Sequence, residues 1–569
     1  VLIDTNAQVA GGRTGIAIGS PSKRAGLAWL ALLLVLIGLF ARIMTYPLQH
    51  DEQFYVPAAV LFSVDKLYPD FGFSHLPNLP ILLAGVFAAV GGHYVLVGRL
   101  VIFVAWLLTA GALILIGRRH ARSDLVAAVL VALLVANPAL LDATGMAVTN
   151  NFIATPFALF GLLAFIEAAT RTTPSRGLAA LAGFLLAAAI GFKANYVVLL
   201  PPVAIAAFLV PPQLPIRARL TRIMLPMLAG ATLGGAPTLY FLAQDPSGFF
   251  AHVVSFHRGP QLGYWRTHAD PVDPKAIGLM AKALTAQRSW FSGTNLILLL
   301  ALTFYATLAL GRGVFRTKFD WARRWPVVLL TAITALAAIV SFLPTPAFPQ
   351  YFTMPIPFAL MLLAFLHGAL DARERSIARP FLIAALTVAA VLGISILLSS
   401  APRVANMAGW TGFRVHSDAA RIARMVQPGP GRSAMATLSP VYALEGGLEV
   451  YPSLAMGPFV YRASAWIPAA DREHYRALTS PETVGALLET APPAAILIGE
   501  EGTLDAPLSA FAVAHGYDAR AVRVGRGDAA REMILFTRPR PPVPLAFACG
   551  AASRNPGGRP AWAQAQACR

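Results

Sequence analysis

Residues 26–44 read GLAWLALLLVLIGLFARIM and run on through Thr45-Tyr46-Pro47-Leu48-Gln49-His50 into Asp51-Glu52-Gln53-Phe54-Tyr55. A helix needs about 20 apolar residues to cross the hydrocarbon of a bilayer, and this stretch, with Arg42 its only charge, meets that length. Lys23 and Arg24 precede it. A cleaved signal peptide would have a shorter apolar core and a small-x-small site behind it. Neither is present, so the stretch reads as an uncleaved first span with its N-terminus inside.

The rest of the chain agrees. Of 569 residues, 57% are hydrophobic and 13% charged, about half the charge of an ordinary soluble protein. Such a surface could not stay wet, and the same numbers exclude disorder. The only cysteines, Cys549 and Cys568, sit near the end and rule out a disulfide framework. The net charge of +18 has a simpler source than nucleic acid, namely Lys- and Arg-rich inner loops.

Further spans are expected over 95–117, 125–141, 152–169, 177–192, 196–210, 223–243, 294–311, 326–343, 351–369 and 380–399, about eleven in all. Threading them places Arg118, Arg119, Arg122, Arg171, Arg176, Arg217, Arg219 and Arg222 on one side. Arg312, Arg316, Lys318, Arg323, Arg324, Arg373, Arg375 and Arg379 fall on that side too, as the positive-inside rule requires. Three segments then face outward. Residues 45–94 form a long first loop that carries a short apolar helix at 79–90, and 244–293 form a polar, aromatic second loop. Residues 401–540 alternate helical stretches with strand-like SAMATL, PAAILIG and EMILFT, the mark of a small α/β domain. Residues 1–24 are expected inside, and the Pro-, Gly- and Ala-rich 541–569 disordered.

Outer loops are where a membrane enzyme would hold its chemistry. The adjacent carboxylates Asp51 and Glu52 lie about seven residues past the first span, at a depth suited to a general base or to holding a cation. The following LYPDFGFSHLPNLP carries His75 among prolines that fix loop geometry. Arg99 opens the second span, and an arginine at that depth needs a partner or a task. Lys193, in GFKANY between the fifth and sixth spans, is a cation on the outer side, against the trend of the basic loops. The second loop holds FHRGPQLGYWRTH, with His257, Arg258, Tyr264 and Arg266: arginines bind phosphate oxygens in pairs, and aromatic rings can stack on a sugar. Gln350 and Tyr351 open a late span near the outer surface. Phosphate-cradling GxxxxGK[ST], dinucleotide GxGxxG, HExxH and CxxC motifs are absent, so ATP-driven transport, nicotinamide chemistry and thiol exchange have no support.

Taken in order, the first span, Asp51-Glu52, LYPDFGFSHLPNLP, Arg99-Leu100, NPALLDATGMAVTNNFIATPFAL, GFLLAAAIGFKANYVVLLPP and PQYFTMPIPFALMLLA resemble the GT-C integral-membrane glycosyltransferases. The resemblance covers roughly residues 25–400 and is nearest to the protein O-mannosyltransferase and lipid A aminoarabinose transferase group. It implies a sugar donor linked to a polyprenyl phosphate, and a lipid, glycan or protein hydroxyl as acceptor. Transfer would take place with inversion on the outer face of a bacterial inner membrane. On that basis Asp51 would act as base or align the acceptor, and Glu52 would orient it or bind the acceptor. Lys193, Arg258 and Arg99 would hold the donor phosphate, and His75, His257, Tyr264, Arg266, Gln350 and Tyr351 would line the substrate site. The aminoarabinose enzymes place a lysine before the loop prolines where this chain has Ser74-His75. Many members carry an acidic residue where it reads Thr149-Asn150-Asn151. Amides are weak ligands for hard cations, so a metal-independent reaction is expected. A flippase for a lipid-linked glycan is the alternative class. It predicts repeated halves and mid-membrane ionisable residues, and neither is evident.

Overall fold

Helix α1 (Lys23–Thr45) delivers the chain to a loop, a short helix α2 (Glu52–Val60), a proline-capped apolar helix α3 (Asn78–Val90) and the long α4 (Tyr94–Ile116). The computed structural model describes residues 23–171, 173–268, 276–311, 321–426, 434–526 and 530–538. The segment 1–22, the loop cations Arg312, Arg316 and Lys318, and the tail from 539 with both cysteines lie outside the described residues.

Helices dominate as far as residue 426. Among the described residues four are long and apolar enough to cross a membrane alone: Tyr94–Ala121, Asn150–Thr170, Pro349–Gly368 and Ala372–Ala405. Two bent pairs raise the number to six, against about eleven expected from hydropathy. The difference lies in breaks. The expected span 223–243 is two helices meeting at Gly235 with a bend of 67°. Residues Leu279–Trp290, read as outer loop, form a helix bent by 84° from the one that follows. Six shorter apolar helices, α3 among them, account for most of the rest. Bulky apolar side chains such as Leu228, Leu233, Ile339 and Val391 remain 60–70% exposed, as they would against lipid rather than water.

Close helix contacts rest on small residues. Helix Arg176–Phe192 packs on helix Leu225–Gly234, whose GATLG places Gly230 and Gly234 on one face. A Cβ at Gly230 would stand 1.9 Å from the Ala180 carbonyl oxygen, and one at Gly183 the same distance from that of Met227. Gly230→Leu must therefore push the two backbones apart. It should cost about 1–3 kcal/mol or more, visible as a lowered unfolding temperature in detergent; an unchanged temperature would show that the pair does not need this contact.

The two ends of the helix bundle differ chemically. At one end His120 stacks on Phe365 at 4.3 Å, and Arg119 and His120 approach Glu167 at 3.6 and 3.3 Å. The other end carries Asp51, Lys193 and Tyr351 and is covered by a five-stranded mixed sheet of order β2-β1-β3-β5-β4. Its strands are β1 (Ala434–Thr437), β2 (Glu449–Val450), β3 (Ala495–Ile498), β4 (Asp518–Val524) and β5 (Arg531–Thr537). β1 runs parallel to β2 and β3, while β5 is antiparallel to β3 and β4. Three strand-like stretches read from the sequence coincide with β1, β3 and β5. The edge strand β4 lies outside that reading, because Asp518, Arg520 and Arg523 break its apolar signal.

Candidate active site

Asp51 occupies the N-cap position of α2, where an aspartate normally accepts a backbone N–H of the first turn. It makes no such bond, so its carboxylate is left for other work. Burial pushes its pKa up; His50, Arg462 and Lys193, in that order, pull it down, and Glu52 adds to the rise.

Glu52, the next residue, is in a different position altogether. It is fully buried, and its Oε1 accepts Arg99 Nε–H at 3.0 Å and the Val148 N–H at 3.1 Å. Its Oε2 accepts from Arg99 at 2.8 Å and from the Gln49 N–H at 2.9 Å. Arg99 also donates to the carbonyls of Ile43, Tyr46 and Pro47 at 3.1, 2.5 and 3.0 Å. A guanidinium has five N–H donors and a carboxylate about four acceptor positions, so both groups are saturated. Arg99 has no donor left for a phosphate and Glu52 no oxygen for an acceptor. The two form one ion pair that fixes the loop leading to Asp51, so Glu52 stands where it can orient that residue, while the donors of Arg99, expected on the donor phosphate, are all engaged within the chain.

Lys193 ends helix Arg176–Phe192 in an extended conformation, before a 3₁₀ turn at Ala194–Leu199. Only 7% exposed, it donates to Asn151 Oδ1 at 2.5 Å, and its ammonium lies 5.5 Å from the Tyr351 ring centre. Asn151 is held in turn by Thr149, whose hydroxyl caps the Asn151 N–H at 3.2 Å. Burial lowers the Lys193 pKa to about 7, opposed by the Asp51 charge. Lys193 and Asp51 thus each oppose the other's burial shift, and a small cavity beside Lys193 is lined by Asn151, Thr155 and Tyr196.

His75 packs edge-on to Phe54 at 5.3 Å, to Tyr55 at 5.5 Å and to His257 at 5.0 Å. Burial, His257 and Lys193 hold it well below the ordinary histidine pKa, so it offers a neutral imidazole and no charge for a phosphate. His257 Nε2–H donates to the Ser74 carbonyl at 2.7 Å and thereby ties the second loop to the first. Arg258 and Arg266 are exposed, and no hydrogen bond or ion pair among the described residues draws either to Asp51. Gln350 accepts the Thr353 hydroxyl through its carbonyl, and among the described residues no hydrogen bond from its side chain is found.

The cation that sequence reasoning missed is Arg462. It comes from the sheet domain, in MGPFVYRASAW, about 410 residues beyond Asp51. Its guanidinium carbon stands 4.7 Å from the Trp265 ring, 5.0 Å from Phe459 and 5.3 Å from Tyr264, an arrangement that holds the plane by cation–π attraction. It is 8% exposed, and among the described residues no hydrogen bond from its side-chain N–H groups is found. Burial lowers its pKa, while Tyr264, Glu501 and Asp51 oppose that shift. Its aromatic flanks were the one available signal. The same domain clamps α2: His50 meets Glu501 at 3.1 Å, and Gln53 bonds Glu500 at 3.3 Å and the Val441 N–H at 3.0 Å. Among the described residues no three His, Cys, Asp or Glu side chains gather where they could hold a metal ion.

No family model matches the chain, and no curated protein matches its sequence. Solved structures do. The crystal structure of ArnT from Cupriavidus metallidurans bound to undecaprenyl phosphate is 14% identical, with a TM-score of 0.57, over 90% of this chain and 98% of that one. ArnT in the apo state gives 13% identity and a TM-score of 0.56 over the same shares. The chain shares the fold of ArnT.

Proposed function

We propose that the protein is an inverting glycosyltransferase that moves a sugar from a polyprenyl-phosphate donor to a hydroxyl of an envelope lipid, glycan or protein, on the outer face of the inner membrane. The observation that carries this reading is an uncapped, buried carboxylate, Asp51, electrostatically coupled to two buried cations, Lys193 and Arg462. A fold shared with a protein bound to undecaprenyl phosphate supports it.

The acceptor oxygen attacks the anomeric carbon as the bond from that carbon to the phosphate oxygen breaks on the opposite face. Asp51 takes the hydroxyl proton. A base does this best when its pKa approaches the working pH, and burial moves Asp51 in that direction. The departing polyprenyl phosphate gains negative charge, which Lys193 and Arg462 stabilise in place of a metal ion. Tyr264, against Arg462, and Tyr351, against Lys193, are assigned to the wall of the substrate site, and the neutral His75 can donate one hydrogen bond to a sugar hydroxyl or a phosphate ester oxygen.

The pH profile follows from these roles. Asp51 must be ionised, so kcat/KM falls as pH drops through a value above the ordinary aspartate range. Lys193 must be protonated, so kcat/KM falls as pH rises through about 7. A bound phosphate holds the ammonium charged, so the alkaline limb of kcat lies higher than that of kcat/KM. Lys193→Arg keeps its charge at every accessible pH and should abolish the alkaline limb; a limb unchanged in that variant would remove Lys193 from the mechanism.

Donor binding provides the direct test. Purified full-length protein should retain undecaprenyl phosphate, and Lys193→Gln and Arg462→Gln should each weaken that retention and lower transfer by about 10²–10³-fold. Retention and transfer unaltered in both variants would overturn the assignment of the phosphate site.

A further inference from the structure

A cavity of about 340 Å³ lies between the start of helix Thr411–Met425 and the residues just after β4. Arg414, Arg526, Ser417 and Asp418 supply its polar wall, Met407 and Phe413 its apolar one. None of these residues belongs to the cleft around Asp51 and Lys193. The cavity begins two residues after the apolar helical run Ala372–Ala405 ends, which places it where the chain leaves the membrane. Met407, at its rim, is 57% exposed.

Its charge is unbalanced. Asp418 is the one carboxylate among the lining residues, and both its oxygens are engaged: Oδ1 accepts from Arg421 at 2.7 Å and Oδ2 from the Gly525 N–H at 2.9 Å. Arg414 gives one N–H to the Thr411 hydroxyl at 2.9 Å, but its Nε–H is buried with no partner among the described residues. Beyond burial, the charges of Arg99 and Arg526 depress the Arg414 pKa, opposed by Asp418 and Tyr442. Arg414 and Arg526 both line the cavity while the one carboxylate on its wall is already engaged, so an anion there would relieve the repulsion between the two arginines. The volume lies at the small end of ligand sites, enough for a headgroup and not for acyl chains, which would find the adjoining apolar helix.

We propose that this cavity binds the phosphate of a membrane lipid, with Arg414 and Arg526 on its oxygens, Ser417 as an additional donor, and the acyl chains lying along the last span beside Met407. The site is independent of the catalytic reading, since a lipid can occupy it whether or not the chain transfers sugar.

Native mass spectrometry of the full-length protein in detergent tests this, with Lys193→Gln as the background to remove phosphate binding in the cleft. The probes are dioleoyl phosphatidic acid, dioleoylglycerol with the same tails and no phosphate, and inorganic phosphate as competitor. The background protein should retain phosphatidic acid and not dioleoylglycerol. Adding Arg526→Glu, at an exposed position where folding is not at stake, should weaken retention by at least about tenfold, and Ser417→Trp, which fills the cavity, should do the same. Equal retention in all three proteins overturns the site. Displacement of phosphatidic acid by millimolar inorganic phosphate, with no advantage for the lipid, overturns the lipid source and leaves a free-phosphate site.

Discussion

Asp51→Asn is expected to lower sugar transfer by about 10²–10⁴-fold, the usual contribution of a positioned general base, while leaving the fold as stable as before or more so. The amide has the same shape as the carboxylate, and Asp51 makes no capping bond that the exchange would break. The sign of the stability effect follows from its pKa. Burial raises that pKa in the folded protein, so above the unfolded value the ionised carboxylate opposes folding, and removing the charge removes that cost. Activity and thermal unfolding measured on the same preparation test both halves. Transfer within a few-fold of wild type would show that Asp51 is not the base; a large loss of stability would show that its role is structural.

Arg99→Met should do the reverse, destabilising the protein by about 3–5 kcal/mol because it leaves a buried, unpaired charge. The Glu52 carboxylate would lose two of its four donors, and the carbonyls of Ile43, Tyr46 and Pro47 would lose theirs. Arg99→Met combined with Glu52→Gln should recover part of the loss, since the second change removes the stranded charge. Thermal unfolding in detergent of both single variants and the double variant measures the coupling. Should Arg99→Met keep the wild-type unfolding temperature and raise only the KM for donor, Arg99 would be a phosphate ligand and the saturated ion pair would be wrong as an account of it.

These two expectations divide a dipeptide that the sequence presents as a unit. Asp51-Glu52 was legible as important from its place just beyond the first span. That Glu52 is tied up in an ion pair while Asp51 makes no capping bond was not legible, because successive residues at a helix start point about 100° apart. The group that claims Glu52 is 47 positions further on. Lys193 was legible as a cation against the trend of the loops, and Asn151, its partner, lay in a motif already singled out. Arg462 was invisible for a different reason. The fold brings residue 462 over residues 264 and 265, and no local pattern encodes that approach. Arg258 and Arg266 drew attention by composition alone, and the chain leaves both exposed.

The fold divides along similar lines. Length and hydropathy located nearly every apolar helix, because burial in lipid imposes a simple rule on composition. They could not foresee the bend of 67° at Gly235 or that of 84° beyond Trp290, since such breaks depend on the packing of neighbouring helices. In the sheet domain the buried strands β1 and β3 had readable apolar runs, whereas β4 buries only Val522 and Val524 and carries three charges. An edge strand is free to be polar, and that freedom hid it.

The central claim is that this chain transfers one sugar from a polyprenyl phosphate, and that Asp51 makes the transfer possible. Mass spectrometry of envelope lipids, glycans and lipid-linked sugars tests it most directly, in a deletion strain complemented with wild type or with Asp51→Asn. The account predicts an acceptor short of one sugar and an accumulated lipid-linked donor in the deletion strain, both corrected by wild type and not by Asp51→Asn. Full restoration by Asp51→Asn, or a sugar inventory that the deletion leaves unchanged, would contradict it.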